Sequence, residues 1–326
     1  MKRPLVAILS RIDSPHAEHE SKIENEIIGE VADVRPFPLP ERPQAADIPE
    51  DVLNADAHLI WHTLPIDADF INRLRKTKVL VRNGVGFDSV DVAAAAAKGI
   101  PVCNVPDYGT EEVADHAIAL AMALCRRLFP LDVEAKKLSW QIAEKHRFRR
   151  LSTQTFGILG LGRIGTAAAL RAKGLGFKVV FFDPYQPSGY QKAIGIQRVN
   201  SLAELLAVSD VLSIHCPLSK ETRGIIGERE IAQMRPSAYL VNTARGDIVQ
   251  KAPLFAALRA GKLAGAGLDV IENEPLRTKE EAATPNLIAT CHAAFCSVEG
   301  MVEMRTTSAR IARAAVLGEP IWNRVN

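Results

Sequence analysis

FGILGLGRIG, residues 156–165, is an apolar run that ends in Gly160, Gly162 and Gly165, and a helical pattern follows it as far as Leu175. G-x-G-x-x-G alone also serves ordinary turns; a strand before it and a helix after it give it meaning. In that context Gly160 permits a tight turn, Gly162 lets a pyrophosphate approach the backbone, and Gly165 lets the helix pack on the strand. The helix opens at Arg163 and Ile164, and its first N–H groups and positive dipole end suit phosphate. The next apolar run, KVVFFD (178–183), ends in Asp183. That is close to the roughly 20-residue spacing at which an acidic residue takes ribose hydroxyls. An aspartate there repels a 2′-phosphate, and residues 184–189 contain no basic side chain. The expected cofactor is therefore NAD in preference to NADP.

Working outward, further short apolar runs occur at 5–9, 58–62, 79–82, 211–216, 238–243, 264–270 and 286–290. Helical patterns separate them at 90–98, 111–128, 163–175, 201–208, 228–234 and 251–261. Strands alternating with helices imply βαβ units and an α/β fold with parallel sheets. Residues 34–49 hold Pro36, Pro38, Pro40, Pro43 and Pro49, which predicts a surface connection. Residues 129–154 read as irregular, with Lys145, Arg147, Arg149 and Arg150 around Phe148.

At roughly 150 residues per domain, a chain of 326 residues holds about two. Its 40 basic and 38 acidic residues give a net charge of +2, and 47% of it is hydrophobic. This excludes a disordered chain and a nucleic-acid binder that works through bulk charge, so the basic cluster around Phe148 reads as a solvated face. The longest apolar run, Ala117–Cys125, is nine residues, against the roughly 20 needed to cross a membrane. Arg11 and Asp13 come too early for a signal peptide, so Pro4–Ser10 reads as a first buried strand. Five scattered cysteines without a C-x-x-C pair point to a reducing cytoplasm. Cys291, His292 and Cys296 match no zinc spacing, and no metal is expected.

Reducing a carbonyl with NADH leaves negative charge on the former carbonyl oxygen. A site for it needs a proton donor, a cation, and a group to hold the donor's ring. Arg245 follows an apolar strand within NTARG (242–246), which places it at a strand's C-terminal end, the ligand edge of an open α/β sheet. Asp269 ends another strand and leads to Glu272 and Glu274, and His292 follows the last strand. His215, also at a strand end, reads as a packed neighbour of the cofactor loop.

NGVGFDSVD (83–91), NVPDYGTEEVADHA (104–117), GILGLGRIG (157–165), HCPLSKET (215–222), NTARGDIV (242–249), GLDVIENEP (267–275) and NLIATCHAAF (286–295) resemble, in order, the D-isomer-specific 2-hydroxyacid dehydrogenases. VRNGVGFDSVD, RRLFP, FFDPY and TARG are most similar to the C-terminal-binding-protein branch and its bacterial enzyme relatives. The resemblance is strong from Val79 to Ala314 and weaker over the first 75 residues.

By that resemblance Arg245 binds the substrate carboxylate, Glu274 pairs with His292, and His292 delivers the proton. Arg82 and the backbone of Val85 and Gly86 contact substrate. Asp269 holds the nicotinamide carboxamide, and Thr243, Ala244 and the loop from Cys216 to Thr222 line the nicotinamide ribose. Cys291 and Phe295 depart from common family residues, and an aromatic at 295 narrows the pocket toward apolar substrate side chains. The implied architecture is a Rossmann NAD-binding domain, 104–296, inserted in a flavodoxin-like substrate domain, 1–103 plus 297–326. A homodimer formed through the helix Glu111–Leu128 is implied as well. Two alternatives stay open: a phosphoglycerate-dehydrogenase-like enzyme, and an NADH-sensing scaffold like the C-terminal-binding corepressors.

Overall fold

Leu5–Arg11 (β1) is buried along almost its whole length, and around it the chain lays down Asp33–Leu39 (β2), Ala57–Ile60 (β3), Val79–Arg82 (β4) and Val102–Cys103 (β5). The computed structural model describes residues 3–13, 21–61, 64–138, 140 and 148–326. These strands form a parallel sheet in the order β2-β1-β3-β4-β5, the flavodoxin-like arrangement. Covered on both faces, β1, β3 and β4 are buried almost throughout and mostly apolar. The long helix Val298–Leu317 packs on β3, β4 and the helix Lys22–Ile28. Arg305 on it grips buried Glu24 through two bonds of 2.8 and 2.6 Å, and Lys78 caps its end at the Val316 carbonyl, 2.8 Å away.

β2 corrects the expectation of a surface connection at 34–49. Its register sets Pro36 beside Ile8 and Pro38 beside Ser10. The Asp33 N–H donates to the Pro4 carbonyl at 2.8 Å, so odd-numbered residues face β1 and the prolines turn their missing N–H outward. β2 is the sheet's edge, where proline costs no ladder bond.

The second sheet holds Thr155–Leu159 (β6), Lys178–Phe182 (β7), Gln197–Arg198 (β8), Val211–Ile214 (β9), Tyr239–Asn242 (β10), Gly265–Leu268 (β11) and Leu287–Ala289 (β12). All pairings are parallel, in the order β12-β11-β10-β9-β6-β7-β8. The order reverses between β6 and β9, which makes that gap the switch point where an open α/β sheet binds its ligand. One face carries Phe156, Ile158 and Phe181 against the helices Thr110–Cys125 and Arg163–Gly174; the other carries Leu212 and Leu240 in one cluster with Leu254 and Leu258 of the helix Lys251–Arg259.

The helix Thr110–Cys125 buries Ala117, Leu120 and Leu124 within this unit, and Val113 on the same helix is buried as well. Its fit on β11 is close: a Cβ at Gly267 would lie 2.9 Å from that of Leu120. The apolar residues read as a dimer surface are therefore used inside the chain. A second correction concerns 129–154, where Leu128–Lys136 is helical. Pro130 sits in its first turn, where a backbone N–H has no intrahelical partner to lose. Within the basic cluster, Arg149 pairs with buried Asp210 at 2.5 Å and Arg126 lies over the Phe148 ring at 5.2 Å; Lys145 and Arg147 fall outside the described residues.

The chain divides into one unit of residues through Gly109 with Cys296–Asn326, and a second of Thr110–Phe295. Residues 104–109 belong to the first unit, against the boundary expected at 103. Asn104 donates through Nδ2 to the Val85 carbonyl at 2.7 Å, and the Val105 N–H to that of Gly84 at 3.0 Å. Among the described residues no helix is long and apolar enough to cross a membrane.

Candidate active site

The end of β6 at the switch point is built around Gly160, whose φ of +90° lies in the left-handed region. A Cβ there would also come within 2.5 Å of the Cys216 backbone nitrogen, so the glycine admits both the turn and the neighbouring strand-end loop. At Gly165 a Cβ would lie 2.1 Å from the Gly160 carbonyl oxygen, which fixes how tightly the helix sits on its turn. Gly162 is different: among the described residues, its chain neighbours aside, nothing lies within 4 Å of its Cβ position. It caps the helix Arg163–Gly174 and leaves open room over that helix's N–H groups, as a pyrophosphate requires. Arg163, in the first turn, is exposed, and among the described residues it makes no hydrogen bond or ion pair. A cation at a helix N-terminus is unfavourable unless an anion joins it. Ile164 is half-buried behind it.

Asp183 reaches back to this turn. Its Oδ2 accepts the Leu161 N–H at 2.8 Å and its Oδ1 the Tyr185 N–H at 2.9 Å, leaving lone pairs for a further donor. Thr243, after β10, has a buried hydroxyl oxygen without a partner, and Ala244 beside it is half-buried. A turn with room for phosphates, an acceptor at the end of β7 and an unmet hydroxyl fit a dinucleotide. When bound, NADH supplies a hydride.

Other expected cofactor contacts are committed within the protein. The Thr222 hydroxyl donates to the Pro217 carbonyl at 2.6 Å and accepts the Ser219 N–H at 2.8 Å. Burial pushes the Cys216 thiol up to about 12, which keeps it protonated and leaves its backbone as the useful part. His215 Nε2 meets Ser213 Oγ at 2.8 Å, and desolvation pushes its pKa down to about 4, so it is neutral.

Three loops at strand ends of this unit carry the acid–base candidates. His292 Nδ1 lies 3.0 Å from Glu274 Oε2, with both side chains part-exposed. The backbone of His292 is left-handed, φ +53°, which costs a side-chain-bearing residue about 1 kcal/mol. Asp269 holds that turn: its carbonyl accepts the His292 N–H at 2.9 Å, and its carboxylate accepts those of Ala293 and Ala294 at 2.9 and 3.0 Å. The Phe295 ring stands edge-on to the His292 ring, 6.2 Å between centroids. Arg245 extends from a loop braced by the fully buried Asn242, whose amide donates to the Arg245 carbonyl at 2.9 Å and accepts the Ala244 N–H at 3.0 Å. The motif spacing by itself gives Asn242 no role. Side-chain bracing of this kind depends on backbone positions that no spacing rule reports.

Substrate candidates on the first unit sit at the end of β4. Arg82 is 6% exposed and its guanidinium donates to the Asn83 carbonyl. Among the described residues, the N–H groups of Val85 and Gly86 have no hydrogen-bond partner.

A model of the D-isomer specific 2-hydroxyacid dehydrogenase NAD binding domain matches residues 118–294. The chain is 38% identical over 289 residues to a glyoxylate reductase of Korarchaeum cryptofilum (strain OPF8), covering 87% of this chain and 86% of that one. It is 34% identical over 329 residues to C-terminal-binding protein 1 of Caenorhabditis elegans, covering 97% of this chain but only 44% of the worm protein. The crystal structure of D-lactate dehydrogenase from Aquifex aeolicus with NAD and lactic acid matches with a TM-score of 0.83 and 28% identity, covering 96% of each chain. Fold and relatives together define an NAD-dependent oxidoreductase acting on CH–OH groups. The chain belongs to the D-isomer-specific 2-hydroxyacid dehydrogenase family.

Proposed function

We propose that the chain reduces a small 2-keto acid to the 2-hydroxy acid with NADH, using His292 as proton donor. The observation that carries this reading is the 3.0 Å contact between His292 Nδ1 and Glu274 Oε2. A carboxylate at Nδ1 accepts that nitrogen's hydrogen and orients the ring, so Nε2 is the nitrogen left to deliver a proton. Arg245 binds the substrate carboxylate in bidentate fashion and polarises the C2 carbonyl. Bound NADH would supply a hydride to C2, and His292 Nε2 would give its proton to the carbonyl oxygen as charge grew there, yielding the hydroxy acid. Phe295, beside the His292 ring, favours an apolar substituent at C3.

A panel of glyoxylate, hydroxypyruvate, pyruvate, phenylpyruvate, 4-methylthio-2-oxobutyrate and phosphohydroxypyruvate with NADH tests the reading. Turnover is expected with the unphosphorylated acids. No turnover on any, or turnover on the phosphorylated acid alone, removes it, the latter in favour of the phosphoglycerate-type alternative. Asp183 is the cofactor-choosing residue in this proposal. Asp183→Ala is expected to weaken NADH about 10- to 100-fold, the worth of a hydrogen bond to a charged group, and to narrow the preference over NADPH. Unchanged preference in a fluorescence titration of both cofactors rules the role out.

The protein is proposed to act in the cytoplasm as a homodimer. Exposed Leu128, Phe129 and Val133 on the helix Leu128–Lys136 support the dimer in place of the buried residues of the preceding helix. A scaffold role is the second reading, on the similarity to C-terminal-binding protein 1. Peptide capture in pull-downs without keto-acid turnover would favour it.

A further inference from the structure

His116 lies in the motif 104–117, yet neither the cofactor nor the acid–base reading gives it a role. It projects from the helix Thr110–Cys125 with its side chain 26% exposed, and its Nε2 is 3.0 Å from the hydroxyl of Thr290. That hydroxyl is 2.5 Å from Asp269 Oδ1, and Nε2 itself is 3.7 Å from the same oxygen. The direction of the hydrogens follows from counting them. A threonine has a single hydroxyl hydrogen and a carboxylate only accepts. Asp269 already receives the N–H groups of Ala293 and Ala294, as an acceptor should. The Thr290 hydrogen therefore goes to Asp269, and Thr290 accepts from His116 Nε2–H.

The chain of contacts ends at the turn that carries His292. Asp269 holds three successive N–H groups there: that of His292 on its carbonyl, and those of Ala293 and Ala294 on its carboxylate. These contacts hold His292 in its left-handed backbone, φ +53°. Because both carboxylate oxygens are engaged by the turn, any rotation of the Asp269 side chain moves the turn with it. Thr290 sets that rotation, and His116 sets Thr290 from a neighbouring helix.

We propose that His116 is a positioning residue: through Thr290 and Asp269 it fixes the backbone turn that aims the His292 ring. The inference rests on the reading of His292 as proton donor. Misplacing a proton donor by about 1 Å can cost on the order of 100-fold, so a partly relaxed turn should cost a measurable part of that.

The test compares His116→Leu, which fills a similar space but donates nothing, with His116→Gln, whose amide can donate to Thr290. For His116→Leu, kcat on the best keto acid of the panel is expected to fall about 10- to 100-fold, with melting temperature unchanged and any loss of NADH affinity much smaller than the loss in kcat. His116→Gln is expected to recover most of that loss. Thr290→Val should reproduce the leucine variant, and the double variant should be no worse than either single one, since all act on one chain of contacts. Wild-type kcat in His116→Leu overturns the proposal. So does a parallel fall in kcat, NADH affinity and melting temperature, the signature of a merely structural residue, and so does a glutamine variant no better than leucine. If His116→Leu does not fold, Thr290→Val is read against the same outcomes. His292→Ala assayed alongside separates the two readings: an active His292→Ala removes the proton-donor reading, whereas an inactive one beside a fully active His116→Leu removes only the positioning role.

Discussion

Replacing His292 with alanine is expected to lower the rate of keto-acid reduction by roughly 10²–10⁴-fold, the contribution of a positioned general acid. NADH binding should persist, because the glycine turn, Asp183 and Thr243 lie on other strand ends of the same sheet. The loss should fall mainly on kcat, since proton delivery matters as charge develops on the substrate oxygen and little in the ground state. Glu274→Ala, which leaves the ring without its Nδ1 partner, should give a smaller loss of the same kind. Steady-state kinetics beside an NADH fluorescence titration check both. A His292→Ala enzyme within a few-fold of wild type would falsify the assignment.

Arg245 should show the second large effect, and of a different kind. Arg245→Ala is expected to lower kcat/KM by roughly 10²–10³-fold, the scale of losing a preorganised donor to a developing oxyanion, and to raise KM as well, because the same guanidinium holds the ground-state carboxylate. Arg245→Lys keeps the charge but loses the planar fork that meets a carboxylate with two parallel bonds, so it should recover only part of the loss. Full activity in the lysine variant would reduce the residue to a point charge. Full activity in the alanine variant would take it out of the site. Because Asn242 braces the loop from its backbone side, neither change should disturb the fold of NTARG, and unchanged melting temperatures would verify that.

The interior strands were legible because they are buried on both faces: VLVR at 79–82 and VLSI at 211–214 are buried at every position and apolar at all but one. The strands that escaped notice, β2, β5 and β8, are all sheet edges. There the pattern is interrupted by Pro36 and Pro38, or is only two residues long, as in Val102–Cys103 and Gln197–Arg198. The helix Leu128–Lys136 was hidden by Pro130, which is a helix breaker everywhere except in the first turn it occupies. At the site, the glycine turn could be read because phosphate binding imposes a fixed spacing on one stretch of chain. The links from His116 to Thr290 and from Asn242 to Arg245 could not. The first spans 174 residues of sequence, and the second joins a side chain to a backbone carbonyl whose position only the folded loop defines.

The same edges bear on how the chain behaves at high concentration. An exposed strand edge is a template for aggregation, because its outward N–H and C=O groups can pair with another chain. Here β2 turns prolines outward, and β8 and β12 are two and three residues long. β5 is covered by the chain's own last residues: the Val325 N–H donates to the Val102 carbonyl, and the Val102 N–H to Asn326 Oδ1, each at 2.9 Å. Every edge of the two sheets is thus blunted, and cross-β growth from the native state has no ready starting point. Trimming Val325 and Asn326 would free the Val102 N–H and carbonyl and leave the shortness of β5 as the main guard of that edge.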